Sequence, residues 1–196
     1  MTIKLLTLPV ITALALTLAA CSKPGGAPTP AAAEAPVAVS ASSYETVAST
    51  GKGFTVGSMM SAQPVYVLFE PQCPHCGHLW EASLPLHNKV KFVWIPIAFN
   101  QGKSLAQAVT LMSSSTPLET MTEHEKLLLS GKGGITAMSG ITPEQEQAIK
   151  TNTQLLTTLG QDSVPFILAK NRLTGDMVSH SGAMDTADLA KLIGVD

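Results

Sequence analysis

The chain has 196 residues, of which 45% are hydrophobic and 13% are charged, and its formal net charge at pH 7 is −2. This near-neutral balance, with no cluster of lysines and arginines, argues against a nucleic acid as a partner. The apolar content is enough for a packed core, and the length that remains after the N-terminal segments fits one domain.

A lipoprotein-type signal peptide is predicted at residues 1–20. The apolar run at positions 5–18 follows a lysine and is too short to span a membrane comfortably. The stretch Leu18–Cys21 resembles a bacterial lipobox, which implies that Cys21 becomes the lipidated first residue of the mature protein. The protein would then be anchored on the periplasmic side of a bacterial membrane, and Ser22 resembles the second residue of outer-membrane lipoproteins. The alternative is a soluble secreted protein whose thiol at position 21 is unused.

Residues 21–43 are predicted to form this lipid anchor followed by a disordered tether. From position 23 onward the segment consists largely of Ala, Pro, Gly, Ser and Thr, a composition that cannot bury a core. A segment of about 20 residues reaches between about 25 Å as a coil and about 60 Å when extended. We therefore expect residues 44–196 to form the folded domain, held away from the membrane surface.

Strand and helix signals alternate along the first part of this domain. Strands are predicted at 53–57, 65–69 and 92–99, and a helix at 77–84, from apolar spacing and from β-branched and aromatic residues. Pro96 cannot donate a hydrogen bond within a sheet, so the third strand is expected to carry a bulge or to meet a sheet edge at this residue.

The motif Cys73–Cys76, with the sequence Cys-Pro-His-Cys, is the strongest functional signal. It lies at the junction between the strand 65–69 and the helix 77–84. At a helix N-terminus, free N–H groups and the aligned peptide dipoles favour negative charge and so lower the pKa of a thiol. The spacing therefore predicts a redox-active pair in which Cys73 is the nucleophile and Cys76 is its partner.

Three neighbouring residues are predicted to tune these thiols. Pro74 suits the first helical turn, where its missing N–H costs nothing. His75 can place a positive charge or a hydrogen-bond donor beside the sulfur of Cys73. Glu70 can accept protons or tune the Cys76 thiol if it is partly buried, and it is a solvated residue at the end of the strand otherwise.

A metal site is one alternative use of the two thiols. Zinc or copper would need further ligands, but no second C-x-x-C or H-x-x-x-H spacing is present. A metal-delivery lipoprotein, and a tethered binding module with a vestigial motif, remain alternatives of other classes. We expect no metal and no cofactor besides the redox-active disulfide. The other histidines, expected to be solvated or to cap helices, are His78, His87, His124 and His180.

A helical segment is predicted at about 102–160, with start signals in which Ser or Thr precedes Glu or Gln by three residues. These signals are Ser104 with Gln107, Thr116 with Glu119 and Thr142 with Gln145. Strand character then returns. The elements predicted after the insert are strand 164–169, turn 171–175, strand 176–180 and a helix from Asp185 to about Gly194.

These features together resemble the thiol:disulfide interchange proteins of the DsbG/DsbC type, and DsbG most closely. The residues that carry the resemblance are Phe69–Cys76, Trp80, Leu159–Gly160 and Val164–Pro165. The resemblance covers residues 44–196 and implies an α/β, thioredoxin-like fold with a helical insertion in its middle. It also implies that Pro165 is cis and faces the active-site disulfide, and that the backbone of Val164 binds the substrate.

The resemblance implies periplasmic thiol:disulfide interchange on cysteines of exported proteins, with an unidentified membrane partner that recycles the pair. The family carries threonine before the cis-proline and tyrosine within the motif, whereas Val164 and His75 resemble the oxidase DsbA. We therefore expect oxidising character, and an isomerase or reductase that protects single thiols is the alternative. Those isomerases dimerise through a separate N-terminal domain that the tether replaces here, so a monomer is expected.

Overall fold

The computed structural model describes residues 37–100 and 102–195. The predicted signal peptide, Cys21 and most of the predicted tether lie outside the described residues. The strands are β1 Val37–Ala38, β2 Phe54–Gly57, β3 Val65–Phe69, β4 Lys91–Pro96, β5 Phe166–Lys170 and β6 Met177–Ser181. The helices are α1 Ala41–Thr50, α2 Pro74–Ser83, α3 Lys103–Met112, α4 Pro117–Leu129, α5 Pro143–Thr158 and α6 Thr186–Ile193.

The strands form one mixed sheet in the order β1-β6-β5-β3-β4-β2. The pair β3 and β4 is parallel, and the other neighbours are antiparallel. Because β5 runs antiparallel to its neighbour β3, the last residues of β3 lie beside the first residues of β5. The chain after Phe69 and the chain before Phe166 are therefore brought together at this end of the strands.

Strand β3 is buried on both faces and lies at the centre of the core. Val67 and Phe69 pack in one cluster with residues of α2 and α6, whereas Tyr66 and Leu68 pack in another with residues of α1 and α5. Successive side chains of a strand point to opposite faces. The continuous apolar run of β3 is therefore explained by helices that cover both sides of the sheet, as a mixed α/β fold requires.

The three helices α3, α4 and α5 lie between β4 and β5, where the helical insertion is predicted. Helices α3 and α5 share a small apolar cluster of their own. Fully buried Asn152 joins α5 to the sheet, because its Nδ2 donates to the carbonyl oxygens of Lys52 at 2.7 Å and Pro96 at 2.8 Å, while its Oδ1 accepts from the backbone N–H of Lys52 at 2.9 Å. The insert is thus fixed to the sheet by a buried amide.

The folded domain begins before Tyr44, inside the segment that we assigned to the tether. The backbone of β1 pairs with β6, and Ser40 caps α1 by accepting a hydrogen bond from the backbone N–H of Ser43. Composition did not indicate this strand, because two residues carry no periodic pattern. A β1 strand at the sheet edge is stabilised by its partner rather than by its own sequence.

Strand β4 ends at Pro96, short of the predicted 92–99. The backbone N–H of Ile97 still donates to the carbonyl of Phe69 at 2.8 Å, so the nitrogen of Pro96 faces the opposite side. On that side β2 reaches only as far as Trp94. Pro96 therefore meets an edge of the sheet, one of the two predicted outcomes, and no ladder hydrogen bond is lost.

Within the described part of the chain, no helix combines the length and apolar character needed to span a bilayer.

Candidate active site

The first turn of α2 places the two cysteines. Cys73 is the N-cap with extended backbone angles, and Pro74 opens the helix. The carbonyl oxygen of Cys73 accepts hydrogen bonds from the backbone N–H groups of Cys76 at 3.0 Å and Gly77 at 3.4 Å. The proline fits because its position needs no N–H donor and its fixed φ is already helical. The motif therefore builds a helix N-terminus around the sulfur of Cys73.

The two thiols differ in their access to solvent. Both are free; Cys73 is half-buried, whereas Cys76 is completely buried. The thiol of Cys73 donates to the carbonyl oxygen of Val164 at 3.6 Å, and the peptide bond between Val164 and Pro165 is cis, as the resemblance implies. The structure thus brings the predicted substrate-binding residues to the predicted nucleophile, because β3 and β5 are neighbours.

The two thiols also differ in their pKa values. Hydrogen bonding from the Cys76 thiol, helped by the backbone N–H groups of Cys76 and His75, lowers the pKa of Cys73 from 9.0 to about 7. Burial of Cys73 and the charge of Glu70 oppose this change. Burial, followed by the interaction with Cys73, raises the pKa of Cys76 well above its ordinary value. At neutral pH the accessible sulfur is therefore the one that ionises.

The side chains of Pro74 and His75 are both exposed. The backbone N–H of His75 is the part of this residue that lowers the pKa of Cys73. Stabilisation of the Cys73 thiolate by the imidazole itself stays a prediction.

Glu70 is buried, with 6% of its surface exposed, and is not a solvated residue at the end of the strand. Its Oε2 accepts from the backbone N–H of Gln72 at 2.7 Å, whereas Oε1 has no hydrogen-bond partner among the described residues. Burial raises the pKa of Glu70, and hydrogen bonds from Ser104 and Gln72 oppose the increase. The carboxyl therefore lies in the site and interacts with the charge of Cys73.

The prediction that Ser104 and Gln107 form a capping pair is wrong. Gly102 is the N-cap of α3, and the side chains of Ser104 and Gln107 are buried toward the site. The amide of Gln107 accepts from Gln72 and donates to the carbonyl of Gly133 at 3.0 Å. Helix α3 thus holds the segment that leads into Cys73.

His124 is buried and does not cap a helix or face solvent, contrary to the prediction. Its Nε2 donates to the carbonyl oxygen of Pro71 at 2.7 Å, and its Nδ1 accepts from the backbone N–H of Ile135 at 3.3 Å. Because one ring nitrogen donates and the other accepts, the imidazole is neutral. Burial lowers its pKa, in agreement with this assignment. His124 therefore fixes the chain two residues before Cys73.

Sequence reasoning missed Glu125, which lies next to His124 on α4. It is 1% exposed, and burial, with added repulsion from Cys73, Glu81 and Glu70, raises its pKa from 4.5 to about 9. A signal was present in the sequence. Glu125 follows Met121 by four residues and so lies on the buried face of an amphipathic helix, where a carboxyl is unusual.

The other candidate metal ligands named from the sequence are the histidines, whose positions are known for the described part of the chain. Within residues 37–100 and 102–195, no three His, Cys, Asp or Glu side chains are placed so that they could hold a metal ion. His78 lies 3.9 Å from Glu81 on the exposed side of α2, and His87 packs against the ring of Trp80. These two histidines therefore lie in separate surroundings.

The sequence is similar to known thiol:disulfide interchange proteins, although no protein-family model matches it. DsbG of Pseudomonas aeruginosa is 26% identical over 133 residues, which cover 66% of this chain and 50% of that protein. DsbG of Escherichia coli K12 is 27% identical over 105 residues, which cover 53% of this chain and 42% of that protein. The chain spans about half the length of these relatives. They confirm the predicted resemblance.

Solved structures show the fold. A periplasmic thioredoxin-like protein from Salmonella enterica serovar Typhimurium has a TM-score of 0.60 at 17% identity, covering 79% of this chain and 95% of that one. The catalytic domain of Proteus mirabilis ScsC has a TM-score of 0.59 at 13% identity, covering 78% of this chain and 93% of that one. The fold is therefore thioredoxin-like, with the helical insertion that was predicted.

Proposed function

We propose that this chain, whose sequence resembles DsbG-type proteins and whose fold is thioredoxin-like, is a thiol:disulfide oxidoreductase that acts through Cys73 and Cys76. The observation that carries the proposal is the contrast between the two thiols. Cys73 is half-exposed with its pKa lowered to about 7, whereas Cys76 is buried with its pKa raised. A pair built this way presents one sulfur to the substrate and keeps the other for the internal step.

The exchange proceeds through a mixed disulfide at Cys73. In the oxidative direction a substrate thiolate attacks the sulfur of Cys73 in the enzyme disulfide, and Cys76 leaves with the bonding electron pair. A second substrate thiolate then displaces Cys73, so that the substrate becomes a disulfide and the enzyme a dithiol. In the reductive direction Cys76 attacks the mixed disulfide and releases the substrate sulfur as a thiolate.

The substrate is proposed to bind beside the cis-proline. The carbonyl oxygen of Val164 lies 3.6 Å from the sulfur of Cys73, so a peptide that bonds to the Val164 backbone would carry its own sulfur close to the nucleophile. Pro165 is buried and holds this backbone in place. The position of Val164 and Pro165 beside Cys73 is the observation that supports a substrate-binding role for them.

Oxidising character is proposed for the pair, because stabilisation of the Cys73 thiolate favours the reduced enzyme and so makes its disulfide a stronger oxidant. The isomerase or reductase is a second candidate, because the pKa of Cys73 is lowered only to about 7. Strongly oxidising pairs have nucleophile pKa values near 3.5 and thioredoxin near 7. Equilibration with glutathione distinguishes them: a potential near about −120 mV supports the donor, and one at or below about −200 mV supports the reductase or isomerase.

The proposed setting is the periplasmic side of a bacterial membrane, with a lipid anchor at Cys21, most simply in the outer membrane. The substrates are exported proteins with cysteines, a membrane redox partner recycles the pair, and the protein acts as a monomer. The lipobox-like sequence before Cys21 supports this setting. Cys21→Ala is expected to move the protein from the membrane fraction to the soluble fraction, and unchanged fractionation would contradict the anchor.

The function is tested by trapping substrates in the periplasm. Cys76→Ser removes the internal thiol, so mixed disulfides at Cys73 should accumulate and be released by reductant. The matched control is Cys73→Ser, in which the one remaining thiol of the motif is that of buried Cys76. Capture of exported proteins by the first variant and not by the second supports the proposal. Equal capture by both variants, or none by either, would reject it.

A further inference from the structure

The carboxyl of Glu125 is a buried group that the exchange reaction described above does not use. It projects from α4 of the helical insert, and neither of its oxygens has a hydrogen-bond partner among the described residues. An unpaired buried polar group destabilises a fold. No hydrogen bond among the described residues compensates for its burial, so its position against the helix that carries the thiols is the feature to explain.

The carboxyl packs against α2 at Gly77, the residue that follows Cys76. A Cβ atom on Gly77 would lie 2.7 Å from Oε2 of Glu125 and 3.1 Å from Cγ of Leu129. Gly77 is inside α2, where glycine is less favourable than alanine by about 1 kcal/mol. Helix α2 therefore lacks a side chain where the carboxyl of the insert packs against it.

Burial, with the negative charges around it, keeps the carboxyl of Glu125 protonated at neutral pH. Glu70 faces it from the end of β3, and Cys73 and Glu81 face it from α2, so each negative charge disfavours a further one. Burial is the largest cause, and together they raise the pKa of Glu125 to about 9. The pKa of Cys76 is raised well above 9.0, first by burial, then by its interaction with Cys73, and last by the charge of Glu125. A proton on Glu125 can therefore pass to a Cys76 thiolate favourably.

We propose that Glu125 donates a proton to Cys76 when this sulfur leaves the active-site disulfide, and accepts it when Cys76 attacks a mixed disulfide. This rests on the proposed oxidoreductase function. As a substrate thiolate bonds to the sulfur of Cys73, the bond between Cys73 and Cys76 breaks and its electron pair stays on Cys76. The carboxyl proton then moves to this thiolate, and the Glu125 carboxylate recovers a proton from solvent.

The reverse step uses the same atoms. Glu125 first loses its proton to solvent, its carboxylate then takes the proton of the Cys76 thiol, and the resulting thiolate attacks the sulfur of Cys73 in the mixed disulfide. The bond between Cys73 and Cys76 forms, and the substrate sulfur leaves as a thiolate. The two electrons that the enzyme loses reduce the substrate disulfide, so charge and protons balance in both directions.

The test follows the oxidation of a dithiol peptide by the oxidised full-length protein and its Glu125→Gln variant, from pH 6 to pH 10. General acid–base groups contribute typically about 10²–10⁴-fold, so we expect the variant to be at least about tenfold slower at pH 7. The ratio of the two rates should fall toward one at alkaline pH, where ionised Glu125 cannot donate. The reduction potential at pH 7 should be unchanged, because the carboxyl is neutral there.

Two further variants complete the design. Glu123→Gln, on the exposed side of the same helix, is the matched control and should behave as the wild type. Gly77→Ala should slow exchange like Glu125→Gln, because its Cβ displaces the carboxyl, and it tests the position of the carboxyl without removing it. The inference would be overturned if Glu125→Gln and Gly77→Ala exchanged disulfides as fast as the wild type. It would also be overturned if they were slowed by the same factor at every pH. A wild-type protein that exchanges no disulfides would overturn the proposed function, and this inference with it.

Discussion

Replacing Glu125 by Gln is expected to make the stability of the reduced protein less dependent on pH. In the unfolded chain the carboxyl ionises near 4.5, whereas in the folded protein its pKa is about 9. The folded state therefore holds an extra proton between these two values. The contribution of this group to stability is complete below pH 4.5 and is lost progressively as the pH rises toward 9. Glutamine has nearly the same shape and cannot ionise, so the variant lacks this loss.

The size of the effect follows from the two pKa values. Each unit of pH between them costs about 1.4 kcal/mol of unfolding free energy, so at pH 7 the wild type has lost about 3 kcal/mol through Glu125. We therefore expect the variant to be more stable than the wild type by about this amount at pH 7, and by almost nothing near pH 4.5. The raised pKa of Glu70 gives a slope of the same sign in both proteins and cancels in the difference.

The measurement is urea unfolding of both proteins in reductant at several values between pH 5 and pH 8, with Glu123→Gln as the exposed control. The free-energy difference between Glu125→Gln and the wild type should grow with pH by about 1.4 kcal/mol per unit, and the control should show no such slope. A difference that stays flat across this range would mean that Glu125 ionises normally in the folded protein. The reasoning from its burial would then be wrong.

Two further predictions concern the thiols and the insert. The rate at which an alkylating reagent modifies Cys73 in the reduced protein should rise with a midpoint near pH 7, and Cys76 should stay unmodified until the protein unfolds, because only Cys73 is accessible. Mass spectrometry of the digested protein checks this. Labelling of Cys76 in the folded protein would contradict it. Asn152→Ala should lower the unfolding free energy by about 2 kcal/mol, since it removes the hydrogen-bond partner of the buried carbonyl of Pro96 and of the part-buried N–H and carbonyl of Lys52. Gln147→Ala, on the exposed side of α5, should cost little in the same urea unfolding experiment, and equal losses would refute the role of the amide.

Several elements could be predicted because their signals are local. The continuous apolar run 65–69 gives β3 with the predicted bounds, and Thr142 with Gln145 forms the predicted capping box at the start of α5. Asp185 caps α6 by accepting from the N–H of Asp188, and Gly194 ends it in the left-handed conformation. These signals depend on backbone preferences and on hydrogen bonds within one turn, which the sequence carries directly.

The errors arose where a side chain is used by a distant part of the chain. Ser104 and Gln107 have the spacing of a capping pair, but their polar groups bond to the segment before Cys73 and to the loop after α4. His124 has no local partner in the sequence, and its bonds to Pro71 and Ile135 exist only after α4 packs on the sheet. A local pattern cannot indicate these roles because both partners are set by tertiary packing.

The sequence by itself determined the redox motif, the strand-to-helix junction that holds it and the presence of a helical insert. Each of these depends on neighbouring residues, on which helix capping and strand patterning act. Only the tertiary structure decided that Val164 meets Cys73, that Glu70 is buried and that Glu125 packs against α2 at Gly77. These relations join residues that are far apart along the chain. Burial and the neighbouring charges, which set the pKa values of the site, exist only when the sheet and the insert are assembled.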